Sequence, residues 1–167
     1  ATGDKSTAPK LQIARRAVNG GCELSPNDIV IPSGGTEAIN LCLHAVCKPG
    51  DHVVIPNDAY GGTFRLFAQV LTRWGVEYTP APLSDPEAVR AAMRPNTVVV
   101  WVETPTNPLL SIADIGALAS IAHDAGALLV VDNTFATPYL QQPLSLGADV
   151  VVHSTTKYLG GHSDVVG

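Results

Sequence analysis

Lys157 follows the apolar run Val150–Val152 and stands among His, Ser, Thr, Tyr and Gly rather than among charged residues. A lysine desolvated in this way loses proton affinity and can attack a carbonyl to form a Schiff base; alone, it reads more readily as a solvated loop lysine. Asp132 ends another apolar run, Ala127–Val131. A carboxylate that begins inside a sheet needs a cationic or hydrogen-bonding partner, and a protonated ring nitrogen is one; a helix cap or loop role is the plainer alternative. Gly34-Gly35-Thr36 opens a helix directly after an apolar stretch. Its free backbone N–H groups and positive dipole end suit a phosphate, although two glycines also make a tight turn. Ser154 and Thr156 offer hydroxyl donors to the same anion. Tyr60, before Gly61-Gly62, could lay its ring over a flat ligand or sit in the core. Asn107 could bond a phenolic oxygen or cap the turn between Pro105 and Pro108.

Taken together, these residues describe a phosphate cradle, an aldehyde-trapping amine, a carboxylate for a pyridinium nitrogen and an aromatic cover. Pyridoxal 5'-phosphate requires that set.

The elements that must position them alternate. Strands are predicted at Asp28–Pro32, His52–Pro56, Val76–Thr79, Thr97–Val102, Ala127–Val131 and Asp149–His153. Helices are predicted at Ala8–Asn19, Thr36–Cys47, Gly62–Trp74 and Asp85–Met93. A further helix opens at a Ser111-x-x-Asp114 capping box and closes at Gly126, and a short one lies near Tyr139–Leu146. Alternating strands and helices with continuous apolar strands imply an α/β fold: a three-layer αβα domain with a mostly parallel sheet. Ligands bind outside the carboxyl ends of such strands, where the polar residues above all fall. The third strand delivers only prolines and alanine, so it is expected at the sheet edge, away from the site.

Composition narrows the classes. The chain has 167 residues, net charge −5 and 46% hydrophobic residues, which suit one domain. No basic run supports nucleic-acid binding, and no apolar stretch is long enough to span a bilayer. Three cysteines cannot all pair, which fits a reducing cytoplasm. Cys42 and His44 fall on different helix faces, so a metal site with Cys47 is not expected. A dinucleotide fingerprint and a P-loop are both missing.

Four segments carry a resemblance: Asp58-Ala59-Tyr60-Gly61-Gly62-Thr63, Glu103-Thr104-Pro105-Thr106-Asn107-Pro108, Val131-Asp132-Asn133-Thr134-Phe135, and His153 through Asp164. From about residue 50 to 167 the chain resembles the Cys/Met-metabolism family of fold-type I pyridoxal-phosphate enzymes, in its cystathionine γ-synthase-like branch. The resemblance implies that Lys157 is the Schiff-base lysine and proton shuttle for γ-replacement on an O-acyl-homoserine. It implies that Asp132 meets the pyridine nitrogen, that Tyr60 stacks on the ring and joins the chemistry, and that Asn107 lies near the phenolic oxygen. By the same resemblance Thr134 lies beside the ring, and Ser154, Thr156, Gly35 and Thr36 bind the phosphate. Gly62 stands where methionine γ-lyases usually carry cysteine, which favours the synthase branch. A small amino-acid substrate and a dimer or larger assembly are also implied.

Residues 1–50 depart from that pattern. Ser33-Gly34-Gly35-Thr36-Glu37-Ala38 replaces the family's usual Ser-Ser-Gly-Met-Ala-Ala, and the surrounding segments resemble class I/II aminotransferase domains fused to GntR-type regulators. The expectation is a chimera, engineered and joined near residues 50–56. An N-terminal arm and a C-terminal domain of the family are expected to be absent, leaving turnover weak. A scaffold that folds without cofactor is the alternative. With an intervening antiparallel strand also absent, the first strand is expected to pair with the sixth, in the order 3-2-4-5-6-1.

Overall fold

The computed structural model describes residues 25–167; the predicted helix Ala8–Asn19 lies outside them. The chain enters through a single 3-10 turn, Pro26–Asp28, capped by Ser25. Helix α1 (Gly35–Val46) follows, then strand β1 (His52–Pro56). Helix α2 (Gly61–Arg65) runs on through a π turn, Leu66–Leu71, and a 3-10 turn, Thr72–Trp74. After these come β2 (Glu77–Ala81), α3 (Pro86–Ala92), β3 (Thr97–Glu103), α4 (Ile115–Asp124) and β4 (Leu128–Asp132). The chain closes with α5 (Thr137–Leu140), a 3-10 turn at Pro143–Leu146, β5 (Val150–Val152) and a π turn at Thr155–Leu159.

The five strands are all parallel, in the order β2-β1-β3-β4-β5. This is the predicted sequence of neighbours without its last member. Asp28–Pro32, read as a first strand beside the sixth, forms no strand: Asp28 belongs to the 3-10 turn and residues 29–32 pair with no other strand, so the six-stranded order 3-2-4-5-6-1 is corrected. Val30 and Ile31 are 77% and 53% exposed there, so their apolar character marks no partner within the described residues. The expected edge position of the proline-bearing strand holds: β2 carries Pro80 and lies at one margin, where a missing N–H costs no ladder bond.

Each sheet face packs its own helices. On one, Val54, Val100, Val102, Leu129 and Val131 meet Val89 of α3 and Leu118 and Ile121 of α4. On the other, Val53, Ile55, Val99, Trp101 and Val130 meet Ile39 and Leu43 of α1 and Phe67 from the turn after α2. Burial on both faces explains why β1, β3 and β4 read as unbroken apolar runs. The start of α4 departs from the capping box expected there. Asp114, not Ser111, caps the helix, accepting the Ala117 N–H at 3.0 Å, while the Ser111 hydroxyl donates to Asp58 Oδ2 at 2.8 Å. Gly126 does take the left-handed conformation just past that helix, at φ +73°. Among the described residues no helix is long and apolar enough to cross a membrane.

His52 is held between two threonine hydroxyls. Its Nδ1 lies 2.8 Å from Thr97 Oγ1 and its Nε2 2.8 Å from Thr79 Oγ1, so the neutral ring donates to one and accepts from the other. Both hydroxyl oxygens also accept from Arg94, that of Thr97 from the backbone N–H at 2.7 Å and that of Thr79 from the guanidinium at 2.9 Å. Burial lowers the His52 pKa from 6.5 to about 4, helped by the Arg94 charge. A histidine depressed on folding stabilises the protein above 6.5 and loses that contribution as pH falls through 4. Burial also lowers His153 to about 4, so it adds to the same window. Asp132 and Glu103, both raised by burial, act in the opposite sense as they take up protons. The urea midpoint of the wild type is expected to fall from pH 6.5 to 4, and the gap between wild type and His52→Gln to shrink across that window. A gap independent of pH contradicts the assignment.

Candidate cofactor site

Four strand ends and one helix end converge at the carboxyl edge of the sheet. They line a cavity of about 450 Å³, within the range of small-ligand pockets. All nine residues singled out by sequence reach it: Gly35, Thr36, Tyr60, Asn107, Asp132, Thr134, Ser154, Thr156 and Lys157. The fold brings them together because β1, β3, β4 and β5 run in one direction, so their following loops share one rim.

The anion side of the cavity lies where α1 begins. Gly34, the N-cap, supplies no side-chain cap to the first turn, leaving its N–H groups free for a ligand. A Cβ built on Gly35 would stand 2.9 Å from the Ser154 Cβ, so only glycine lets the helix start press against that residue. The Ser154 N–H donates to Thr134 Oγ1 at 2.9 Å, tying the turn after β5 to the loop after β4. The Ser154 and Thr156 hydroxyls and the start of α1 line one cavity, donor types that suit a phosphate oxygen. Glu37 also lies here, its carboxylate drawn back to the Ser33 N–H and hydroxyl; those bonds hold it below the usual glutamate range.

Gly35→Ala is expected to push the Ser154 side chain from this cradle and to weaken binding of inorganic phosphate by about tenfold, the equivalent of one charge-assisted hydrogen bond. Titration followed by amide NMR shifts at Thr36 and Thr156 measures it. An unchanged affinity would place the anion elsewhere.

The floor of the cavity is acidic. Asp132 ends β4 with Oδ1 accepting the Thr134 N–H at 3.0 Å, and burial raises its pKa. No ion pair forms on it among the described residues. Lys157 also lines the cavity, in a turn that it interrupts, at φ −94° and ψ −125°. Its side chain is exposed, so the desolvation suggested by its neutral neighbours in sequence is not what the described residues provide. Tyr60, 44% exposed, reaches the cavity from the start of α2. A Cβ on Gly62 would collide with its ring, so the glycine is what allows Tyr60 to fold over its own loop. Asn107 lies half-buried in the loop after β3. That loop is clamped to the one after β1 by Asp58, whose Oδ2 accepts the Thr106 hydroxyl at 2.6 Å and the Ser111 hydroxyl at 2.8 Å.

Sequence reasoning missed Glu103, Ser33, Glu37 and Phe135, which line the same cavity. The signal for Glu103 was present, since it is an acidic residue ending an apolar run, as Asp132 is. Phe135 had no such signal; its ring stands edge-on to Tyr158 with centroids 6.4 Å apart.

A cavity with anion donors at one end, an uncompensated and largely desolvated carboxylate on its floor and a lysine at its wall fits a phosphate ester joined to a cationic ring. Known proteins point the same way. The chain is 66% identical over 135 residues to cystathionine gamma-synthase of Mycobacterium tuberculosis, an overlap of 81% of this chain and 35% of that protein. It is 49% identical over 164 residues to the probable cystathionine gamma-synthase of Herpetosiphon aurantiacus, covering 98% of this chain and 50% of the relative. The crystal structure of metB from Corynebacterium glutamicum superposes with a TM-score of 0.79 at 60% identity, covering 80% of this chain and 35% of that one. The chain thus spans between a third and a half of the length of these relatives. The family profile described as Cys/Met metabolism PLP-dependent enzyme matches residues 16–167, and with that extent of match the chain belongs to this family, whose cofactor is pyridoxal 5'-phosphate.

Proposed function

We propose that this chain is the cofactor-binding part of a pyridoxal-phosphate enzyme acting on a small amino acid, by γ-replacement on an O-acyl-homoserine with a cysteine-type thiol. The observation that carries the reading is the convergence of the anion donors, Asp132 and Lys157 on one cavity at the carboxyl ends of the strands. When bound, the cofactor supplies an aldehyde and an electron-withdrawing ring that stabilises negative charge on carbon next to an amino group.

The chain's own residues then have distinct work. The N–H groups of Gly35 and Thr36 and the hydroxyls of Ser154 and Thr156 would hold the phosphate. Asp132 would keep the ring nitrogen protonated, because a desolvated carboxylate gains most from a cation in contact. Tyr60 and Thr134 would shield the ring from water. Asn107 would donate to the phenolic oxygen. Lys157 Nζ would supply the amine that takes up the aldehyde and would carry a proton between substrate carbons. Orientation and fixed charge supply most of the rate in such a site.

The test is a titration with pyridoxal phosphate read by visible absorbance, followed by borohydride reduction and peptide mass mapping. A saturable band with the label on Lys157 supports the reading. Absence of a band, or label scattered over Lys48 and the other lysines, rejects it in favour of a scaffold that folds without the cofactor.

A further inference from the structure

Two carboxylates, not one, form the floor of this cavity. Glu103 ends β3 and Asp132 ends β4, and the two are register partners, so their side chains leave the same face of the sheet. Both line the cavity. Glu103 is 4% exposed, and no ion pair forms on either among the described residues. Its oxygens are nonetheless engaged: Oε2 accepts the Tyr60 N–H at 2.6 Å and Oε1 the Trp101 Nε1–H at 3.4 Å. Burial and the Asp132 charge oppose the ionised form, while these two N–H donors and the Thr63 hydroxyl favour it. A like-charge pair drawn out of water with no cation is a costly arrangement to maintain. Its cost falls when a cation enters between the pair and solvent.

We propose that Glu103 is a positioning residue of this site: its carboxylate anchors the Tyr60 backbone and, as the second negative charge beside Asp132, tightens the hold on a protonated pyridine ring. Its relevance to the cofactor rests on the function proposed above; the coupling to Asp132 and Tyr60 stands on geometry alone. Glu37 from α1, Tyr60 from the start of α2 and Lys157 from the turn after β5 line the same cavity as this pair. One member of the pair changes in each comparison, so the others cancel. Glu103→Gln keeps an acceptor for the Tyr60 N–H and removes the charge; Glu103→Ala removes both.

The experiment uses the full chain, first without cofactor. Carbon-13-labelled glutamate follows the Glu103 carboxyl through a pH titration, assigned by its loss in Glu103→Gln. In Asp132→Asn the Glu103 carboxyl is expected to titrate lower than in wild type, because the neighbouring charge that opposes its ionisation is gone. The Tyr60 amide resonance should hold in Glu103→Gln and move in Glu103→Ala. With pyridoxal phosphate, Glu103→Gln is expected to bind about tenfold more weakly at neutral to mildly alkaline pH, one pH unit being a factor of ten. A Glu103 titration identical in wild type and Asp132→Asn overturns the proposal, as does equal cofactor affinity of wild type and Glu103→Gln across the pH range. If the wild type takes no pyridoxal phosphate while the Glu103 shift is present, the cofactor reading falls and the coupled pair remains.

Discussion

Lys157→Ala is expected to abolish borohydride-stable attachment of pyridoxal phosphate at this site, with label falling to the level of the surface lysines. Among the described residues no other lysine lines the cavity, so no neighbouring amine there can take its place. Weak noncovalent binding should survive, because Ser154, Thr156 and the start of α1 are untouched. Any amino-acid turnover the chain supports should fall by at least about 10²–10⁴-fold, the usual contribution of a positioned acid–base group. Stability should barely change: Lys157 is exposed, and such a substitution typically moves folding free energy by about 0.5 kcal/mol or less. Lys157→Arg sharpens the result. Arginine keeps the positive charge but stays protonated, so it cannot attack an aldehyde. If Lys157→Arg preserved the labelling, or if both variants lost label only through unfolding seen by circular dichroism, the assignment of Lys157 would fail.

Much of this site was legible in the sequence, for a physical reason. In a parallel sheet every strand points its carboxyl end at the same rim, so the residue types that follow the apolar runs already describe the site. Asp132 after Ala127–Val131 and Ser154 to Lys157 after Val150–Val152 are read that way. Sequence overreached where an apolar run lacks a partner. Ile29, Val30 and Ile31 look like a strand, but pairing depends on an adjacent edge, and no local pattern encodes whether one is there. Ser111 failed differently. Its hydroxyl has one local use, capping α4, and one distant use, clamping the loop to Asp58, and the tertiary contact with a residue 53 positions away prevails. The exposure of Lys157 was also out of reach, since desolvation is set by what covers a residue rather than by its neighbours in the chain.

Glu103 shows how the core and the site share parts, and Trp101 makes the dependence measurable. Trp101 is fully buried in β3, packed with Val53, Val99 and Val130 on the face that also holds α1 and Phe67. Its indole N–H reaches Glu103, which in turn holds the Tyr60 backbone. Trp101→Ala is expected to cost about 3–5 kcal/mol, the range for emptying a large aromatic from a packed interior. Natural domains have about 5–15 kcal/mol in total, so this single change should leave the chain close to unfolding. Urea denaturation followed by far-ultraviolet circular dichroism measures it, with the midpoint falling and the slope unchanged. Trp101→Phe separates packing from polarity. It keeps a ring in the core and removes the donor to Glu103, so it should cost less than Trp101→Ala. It should also raise the proton affinity of Glu103, because a bond to the ionised form is lost while burial remains. A Trp101→Phe variant as unstable as Trp101→Ala would mean that the indole N–H, rather than the packing of the ring, holds the centre of the sheet. A Trp101→Ala variant with wild-type stability would mean that β3 does not run through the core.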